Sequence, residues 1–471
     1  MALKLAPNMW RPPPSLKPNP STPLGSVQQP VPHKTPATPK PAKPAHRERL
    51  LSAVTDAIAD RGYEATTVAE VIAYAGVSRA TFYEHFADKD ACVLAAYQQA
   101  ATQITRRFRR AATPAGKASA LRPALQALLN TIAANPAQGI LLFCAARAAG
   151  QIIPAQPQPL LDEITRLTTI GRAATGHPVF DLSSISLLGG ITTVISNRLA
   201  ANAADRLPSV LDDLVGWADA YTLPSRTRPW TTTTQAVLRD LPPLPPTLPT
   251  SSISAKPDVL PRGRRKLPDS VVARNHRSRL LHAVAETAVS NGYKATTVAQ
   301  IAAAANVGRQ VFYEHFQDRQ HAALQVQRQT LRHAATRVAD GYFIDDVWSA
   351  RIRNTLHYIT TLIAQQPALA RLAIIEPYAI GQTAVENLKD ALLTYAFVFQ
   401  EGYHQPTQHQ PPPQLASEAT IGALFETIRH HLLTRPASDL PLQLPTLTYL
   451  ALAPFLGREH AIEALANSSA H

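Results

Sequence analysis

The side chains best suited to chemistry in this sequence lie in two stretches that repeat one another. Residues 46–89 and 276–319 align without a gap at an offset of 230, and 24 of their 44 positions are identical. Both stretches close on Phe-Tyr-Glu-His-Phe, at 82–86 and 312–316. Agreement of this length indicates an internal duplication, so the chain carries the same set of polar side chains twice.

The spacing within each stretch predicts three helices, of which the second and third are joined by a tight turn. Apolar residues at helical spacing predict a helix that ends near Gly62, and Thr67-x-x-Glu70 opens the next helix with a capping box. Gly76 follows that helix, and Asn306 takes its place in the second stretch. Both residue types tolerate the left-handed conformation of a tight turn, so a helix-turn-helix is predicted in each stretch.

A helix-turn-helix inserts the start of its second helix into the DNA major groove. We therefore predict DNA contacts from three places in the motif. These are the threonine that opens its first helix, the outward residues of its second helix, and the basic residue that follows the second helix. In the first stretch this set is Thr67, Ser78, Arg79, Ala80, Thr81, Tyr83, His85 and Lys89. In the second stretch it is Thr297, Gly308, Arg309, Gln310, Val311, Tyr313, His315 and Arg319.

Each of these side chains also has a purely structural interpretation. Arg79 and Arg309 suit a bidentate contact to guanine or a phosphate contact, and most protein–DNA hydrogen bonds go to the backbone. The tyrosines and the final basic residues suit phosphate contacts, as do the threonines at a helix start. Alternatively, the threonines only cap, the tyrosines only pack and the histidines only fill the helix end. The ordered set occurring twice favours DNA binding.

The charge of the chain is concentrated before each stretch. The chain has 46 Lys+Arg against 33 Asp+Glu, for a net charge of +13. Residues 1–49 carry +7 and residues 221–279 carry +8, which leaves the remainder near −2. Basic segments beside a docking surface increase encounter with a polyanion, although a role in keeping proline-rich segments soluble is the simpler alternative.

Composition and periodicity predict an all-α fold in six segments. Prolines crowd the N-terminal and central segments, and helical periodicity without strand alternation follows each stretch. The predicted segments are a disordered Pro-rich basic tail (1–45), helix-turn-helix head one (46–92), helical regulatory domain one (93–222), a Pro-rich basic linker (223–275), head two (276–322) and helical regulatory domain two (323–471).

The run Thr-Thr-Val-Ala-x-[VI]-x-x-x-Ala-x-Val-x-Arg-x-x-Phe-Tyr-Glu-His-Phe resembles the head of the TetR family of bacterial transcriptional regulators. The preceding Gly-Tyr and the following Asp-Lys or Asp-Arg also match, over about 50 residues in each repeat. The resemblance implies operator binding by the heads, and effector binding and dimerisation by the helical domains. The family's last two long helices would correspond to about 183–202 with 207–221, and about 415–434 with 443–457.

These features predict a sequence-specific DNA-binding transcriptional regulator, a ligand-responsive repressor with two heads in one chain. We expect an intramolecular pseudo-dimer, with a homodimer of tandem chains as the alternative assembly. A non-specific architectural or adaptor protein is the alternative function. We find no glycine-rich phosphate loop, nucleophile elbow or metal motif, so we predict no enzyme activity, cofactor or metal. Cys92 and Cys144 offer no disulfide framework, and no apolar run reaches 18 residues, so a cytoplasmic protein without a membrane span is expected.

The sequence does not single out the effector site. Candidate lining residues, each equally suited to core or surface, are Phe143, Arg147, His357, Glu376 and Tyr378. Histidines at 404, 409, 430 and 431 do not form a tight set, and an exposed histidine-rich helix end explains them better than a metal.

Overall fold

The computed structural model describes residues 43–112, 120–145, 157–175, 183–221, 267–405 and 411–466. Within these ranges the secondary structure is helical and contains no strand, which confirms the predicted all-α class. Nearly all of the predicted tail and most of the predicted linker lie outside the described residues.

Repeat one consists of a three-helix head and a helical domain. The head contains α1 (Lys43–Ala65), α2 (Val68–Ala75) and α3 (Arg79–His85), and α4 (Lys89–Ala112) continues from it. The rest of the domain contains α5 (Leu121–Ala134), α6 (Pro136–Gly139), a π-helical segment (Ile140–Ala145), α7 (Gln158–Thr175), α8 (Ser184–Ala200), a 3-10 segment (Ala204–Val210) and α9 (Leu211–Asp219).

Repeat two follows the same order. Its head contains α10 (Asp269–Asn291), α11 (Val298–Ala304) and α12 (Arg309–His315), and α13 (Arg319–Tyr342) continues from it. The rest of the domain contains α14 (Trp348–Gln365), α15 (Pro367–Ile374), α16 (Pro377–Ile380), α17 (Gln382–Tyr395), 3-10 segments (Ala396–Phe399, Glu401–His404 and Ala437–Gln443), α18 (Ala416–Thr434), α19 (Leu444–Leu456) and α20 (Arg458–Ala466).

The predicted turn signals produce the helix ends of both heads. Gly62 breaks the helical conformation within α1 and Gly292 ends α10, with φ of 79° and 74°. Gly76 and Asn306 adopt the left-handed conformation, with φ of 57° and 51°. Because few residue types populate this region at low cost, these positions fix the direction in which the following helix leaves.

The buried apolar side chains form two separate clusters. One cluster runs from the head of repeat one through its helical domain into the C-terminal helices of repeat two. The other joins head two to α13, α15 and α16, with Leu369, Leu372 and Ile380 packed beside the head's own core residues. Head two is therefore packed on its helical domain, and the helical domains of the two repeats share a core.

The two repeats meet where α8 crosses α18. The hydroxyls of Ser186 and Thr427 lie 2.7 Å apart, and a Cβ built on Gly189 or Gly422 would lie 2.9 Å from the backbone oxygen of the other glycine. Backbones approach this closely only where side chains are absent, so glycine on both helices permits the crossing.

Within the described ranges, no single helix has both the length and the apolar character to cross a membrane. One bent pair, Leu121–Ala134 with Pro136–Ala145, meets those limits only when its two parts are joined across a bend of 114°.

Candidate nucleic-acid interface and apolar cavity

In head one, capping and aromatic packing orient the recognition helix α3. The Ser78 hydroxyl accepts a hydrogen bond from the Thr81 backbone N–H at 3.0 Å and so caps the start of the helix. Phe82 and Phe86 are buried and hold the inner face of the helix. Arg79 and Ala80 are consequently exposed at the start of the helix, where a helix-turn-helix contacts base edges.

In head two, α12 has the same position but a different cap. Gly308 caps it without a side-chain hydrogen bond, and Phe312 and Phe316 are buried beneath it. Arg309 and Gln310 are exposed, whereas Val311 is half-buried and packs against the core of the head. Val311 therefore contributes more to packing than the sequence suggested.

Tyr83 and Tyr313, which the sequence predicts as DNA contacts, each pack one edge of the ring against the head and expose the rest. Tyr83 is 48% exposed and Tyr313 is 59% exposed. Each ring meets the preceding phenylalanine edge to face, with centroid distances of 5.3 Å in head one and 5.5 Å in head two. The packed edge orients the ring and leaves its surface in solvent, a geometry that suits a phosphate contact.

The predicted histidines lie deeper than the tyrosines. His85 and His315 are half-buried at the ends of their helices, beside Phe86 and Phe316. Burial lowers the pKa of His315 below its usual range, and the nearby Arg277 lowers it further. A neutral, half-buried ring gives little attraction to phosphate, so the helix-filling interpretation suits His315 better.

The basic residues that follow each recognition helix hold the head's own backbone. Lys89 Nζ donates to the Tyr63 carbonyl at 3.0 Å and lies 4.1 Å from the Tyr63 ring centroid. Arg319 donates to the carbonyls of Tyr293, Lys294 and Thr296. These bonds hold the end of α1 in head one and the loop before α11 in head two, so positioning this backbone is the role that the geometry supports directly.

The predicted threonines form complete capping boxes. The Thr67 hydroxyl accepts from the Glu70 N–H at 3.3 Å, and the Glu70 carboxylate accepts from the Thr67 N–H at 2.8 Å. Thr297 and Gln300 repeat both bonds at the same distances. Both threonines are also exposed, so a phosphate contact stays open to them beside the capping role.

Sequence analysis missed a pair of arginines that hold the turn itself. Arg49 Nη2 donates to the carbonyls of Ala75 and Gly76, and Arg279 Nη2 donates to those of Ala305 and Asn306. These carbonyls end the first helix of each motif and have no partner within it. The signal was present, because both arginines occupy the same position of the repeat.

Family comparison decides what these heads are. The sequence model described as "Bacterial regulatory proteins, tetR family" matches residues 50–96 and again residues 280–321. Two TetR-family units stand in tandem in this chain. The matched ranges contain both turns and both recognition helices, so the chain is a DNA-binding regulator of the TetR type.

Several solved structures of bacterial regulators are each similar to part of this chain. A fatty acid degradation regulator, FadR, from Bacillus halodurans is 17% identical, covers 36% of this chain and 92% of its own, and has a TM-score of 0.33. FadR from Bacillus subtilis in complex with stearoyl-CoA is 16% identical, with coverage of 37% and 96% and a TM-score of 0.32. A tetR-family protein from Rhodococcus RHA1 is 19% identical, with coverage of 39% and 97% and a TM-score of 0.33. Such partial likenesses carry no argument about the ligand or operator of this chain. Curated protein sequences give no match.

The helical domain of repeat two contains an apolar cavity of about 140 Å³ among α13, α14, α15, α17 and α18. Leu424 and Phe425 of α18 line one side, and Leu369 and Ala370 of α15 line another. Leu369 also belongs to the buried cluster of head two. The cavity thus adjoins both the helix that meets repeat one and the helix that supports the second DNA-binding head.

The polar groups at the cavity wall are few, and no charged residue lines it. The Thr330 hydroxyl donates to the Val326 carbonyl at 2.9 Å, and the Tyr395 hydroxyl donates to the Leu331 carbonyl at 2.7 Å. These hydroxyl protons are committed to the backbone, so the cavity offers a ligand mainly apolar contact.

The candidate effector residues from the sequence do not line this cavity. Phe143 is buried in repeat one, and Arg147 lies outside the described residues. Glu376 instead accepts a hydrogen bond from the Tyr293 N–H at 3.2 Å, which joins the helical domain to head two. His357 and Tyr378 are half-buried away from the cavity lining.

The histidine-rich helix end has no metal-binding arrangement in the part of the chain that the structure describes, where no three His, Cys, Asp or Glu side chains could hold an ion together. His430 is exposed, and the buried His431 ring lies 3.0 Å from the Pro436 carbonyl through Nε2. His409 lies outside the described residues.

Proposed function

We propose that this chain is a ligand-responsive transcriptional repressor whose two heads bind one operator as an intramolecular pseudo-dimer. It works in the cytoplasm by binding rather than by catalysis. The observation that carries the proposal is the contact between α8 and α18, since these are the helices through which the family resemblance implies dimerisation. Two heads carried by helical domains that share a core can act together on a single DNA site.

Covalent linkage strengthens this pairing. A connection long enough to let both repeats meet holds one repeat near the other at a high effective concentration. Pairing within the chain therefore outcompetes pairing between chains. The expected solution mass is that of one chain, measured by light scattering at micromolar concentration. A mass of two chains would support the homodimer of tandem chains instead.

Operator reading is tested with the full chain and a fluorescently labelled DNA from upstream of its own coding region. Binding is followed by anisotropy at physiological salt with excess random DNA as competitor. Nanomolar affinity that survives the competitor supports sequence-specific repression, and footprinting should then show two unequal half-sites. Affinity that is lost to the competitor on this and on genomic fragments favours the non-specific architectural alternative.

We further propose that the effector is a small, uncharged, apolar molecule held in the cavity of repeat two. An engineered apolar cavity of roughly 150 Å³ in another protein stays dry and binds benzene or xenon. The cavity here has nearly that volume, and a charged ligand would lose its hydration without gaining a partner. A ligand that pushes on α15 would move the support of head two, and this supports release from the operator.

Benzene and benzoate provide the matched probes, because they share a ring and differ in charge. Benzene should weaken operator binding in a saturable manner, whereas benzoate at the same concentration should not. Ala334→Leu fills the cavity from α13, and Ala335→Leu adds the same atoms beside it on a residue that does not line the cavity. Only Ala334→Leu should abolish the benzene response. An unchanged response in that variant would place the effector elsewhere.

A further inference from the structure

Large apolar side chains lie exposed together on the helical domain of repeat two. They come from the loop between α13 and α14 and from the end of α17 with the 3-10 segment after it. The Phe343 and Phe397 rings both meet the ring of the buried Tyr342, with centroid distances of 5.3 Å and 5.6 Å, so the two segments form one surface. This apolar patch consists of Phe343, Ile344, Val347, Leu393 and Phe397, all of them exposed.

The loop that carries the patch is held in one conformation by hydrogen bonds. The Val347 N–H donates to Asp345 Oδ1 at 2.9 Å, and Arg351 Nε donates to the Asp345 carbonyl at 2.7 Å. Arg351 Nη1 and the Tyr342 hydroxyl both donate to Glu401 Oε2, at 2.9 Å and 2.8 Å. The loop is thus fixed with its apolar side chains in solvent. A fixed, contiguous apolar surface of this kind is typical of an interaction site.

The linker begins against the helix that supports the patch. Tyr221 is the last described residue before the linker, and its hydroxyl donates to the Leu450 carbonyl of α19 at 2.8 Å. Five residues further along α19, roughly 7.5 Å away, Phe455 packs on the rings of Trp348 and Phe399. Trp348 directly follows the patch loop, and Phe399 follows the other patch segment. The chain therefore enters the linker a short distance from the patch.

The sequence of the linker contains a segment that suits an aromatic surface. Residues 239–246 read Arg-Asp-Leu-Pro-Pro-Leu-Pro-Pro and lie outside the described residues. Sequences of this type favour the polyproline II helix, which is preformed and so binds aromatic side chains with little loss of entropy. Charge agrees with this pairing. Residues 222–266 carry eight Lys or Arg against two Asp, whereas the patch loop carries Asp345 and Asp346.

We infer that residues 239–246 dock on the apolar patch of the same chain. Twenty residues lie between 221 and 241 and twenty-one between 246 and 267, and each connection spans roughly 60 Å when extended. This reach exceeds the width of a domain of about 150 residues, roughly 40 Å. Both ends of the linker meet repeat two, since the far end continues into α10. The chain's own segment is therefore tethered beside the patch, ahead of any free partner.

A labelled peptide of residues 236–250 tests this docking on the full chain. Leu241→Ser with Leu244→Ser removes the apolar side chains of the chain's own segment and keeps its prolines, which leaves the patch open. Phe343→Ser is then added to this linker variant to alter the patch. Val289→Ser is added instead as the matched control, because Val289 is also exposed but lies on α10 of head two. These exposed substitutions should leave the melting temperature near that of the wild type.

The peptide should bind the linker variant, as followed by fluorescence anisotropy. Its affinity for the wild type should be about tenfold lower, because the tethered segment competes for the same surface. Adding Phe343→Ser to the linker variant should abolish binding, and adding Val289→Ser should leave it unchanged.

Three results would overturn the inference. The first is a linker variant that does not bind the peptide, or that binds it equally with and without Phe343→Ser, because the patch is then not the site. The second is equal affinity for the wild type and the linker variant, because the chain's own segment does not then cover the patch. The third is a two-chain mass in light scattering of the wild type that Phe343→Ser reduces to one chain, because a second copy is then the occupant.

Discussion

The recognition helices of the two heads share an exposed arginine and differ around it. Ser78 stands against Gly308, Ala80 against Gln310 and Thr81 against Val311. Head one thus has a side-chain cap that fixes the first turn of its helix, which head two lacks. A helix start that is better fixed loses less entropy when it binds, so we expect head one to contribute more to base reading.

Alanine variants test this difference. Arg79→Ala and Tyr83→Ala should weaken operator binding more than Arg309→Ala and Tyr313→Ala, with a loss of about 1–3 kcal/mol for a side chain that contacts a base. If Arg79 contacts phosphate only, its loss should instead be similar on all sequences and should reduce the salt dependence by about one charge. Equal losses in both heads would contradict the asymmetry.

Arg49 and Arg279, which donate to the carbonyls of the turn, should affect stability, whereas Arg79 and Arg309 on the recognition helices should affect DNA binding. Arg279 is only 8% exposed and donates to two carbonyls at the end of α11, so Arg279→Ala leaves charge-assisted hydrogen bonds unmade. A cost of about 1–3 kcal/mol should lower the melting temperature by several degrees. The exposed Arg309→Ala is the matched control, and its melting temperature should stay near that of the wild type.

Helix caps connect local sequence to the position of the DNA-binding surface. Thr297 and Gln300 satisfy each other's backbone N–H groups at the start of α11. Since the same threonine is exposed, capping and phosphate binding predict different effects for different substitutions. Capping needs an acceptor oxygen, whereas phosphate binding needs a donor without negative charge.

Three substitutions at Thr297 separate these roles. Thr297→Ala removes the cap and should cost about 1 kcal/mol, seen as a lower melting temperature. Thr297→Ser keeps both functions and serves as the control. Thr297→Asp keeps a capping oxygen but adds negative charge, so stability should hold while DNA affinity falls if the threonine contacts phosphate. Unchanged affinity in Thr297→Asp would leave capping as the sole role.

Local signals predicted the elements of the heads because each signal acts within a few residues. The capping box at Thr67 and the turns at Gly76 and Asn306 appear where the sequence placed them. The roles of Lys89 and Arg319 were less accessible, because their carbonyl partners lie more than 20 residues away in the chain. The cavity was missed for a similar reason, since its wall combines five helices (α13, α14, α15, α17 and α18) and is made of ordinary core residues.

Tertiary packing between repeats also escaped the sequence. The family resemblance indicated which helices pair, but it did not indicate which residues of α8 meet which residues of α18. Glycine has a low helix propensity, so its presence in a helix interior predicts a less stable helix. Yet Gly189 and Gly422 are where the two backbones come together. Only the packed structure distinguishes these two situations.

The whole protein should lose stability as pH falls, and repeat two contributes measurably to this loss. Burial lowers the pKa of His333, with a further lowering by Arg337, and His315 is lowered by burial and Arg277. Below the unfolded value of 6.5, the unfolded chain takes up protons that these folded rings resist. Their contribution to stability is therefore present at neutral pH and declines as pH falls from about 6.5 through the folded pKa values.

The measurement is the melting temperature of the full chain between pH 7.5 and pH 5.5. His333→Gln removes one of the titrating rings and should show a shallower decline than the wild type across that interval. Partial burial raises the pKa of the Glu376 carboxyl, which works in the opposite direction, because a group that protonates more readily when folded adds stability in acid. A decline of equal slope in His333→Gln would exclude His333 as a source of acid sensitivity.

The glycines where α8 crosses α18 also restrict which mutations the two repeats can accept. Gly422 lies against Thr193 as Gly189 lies against Glu426, so each half of the chain presents a glycine to a side chain of the other half. A substitution that adds a side chain at either glycine must then be answered by a change in the other half. The two repeats are therefore constrained to diverge together at this contact.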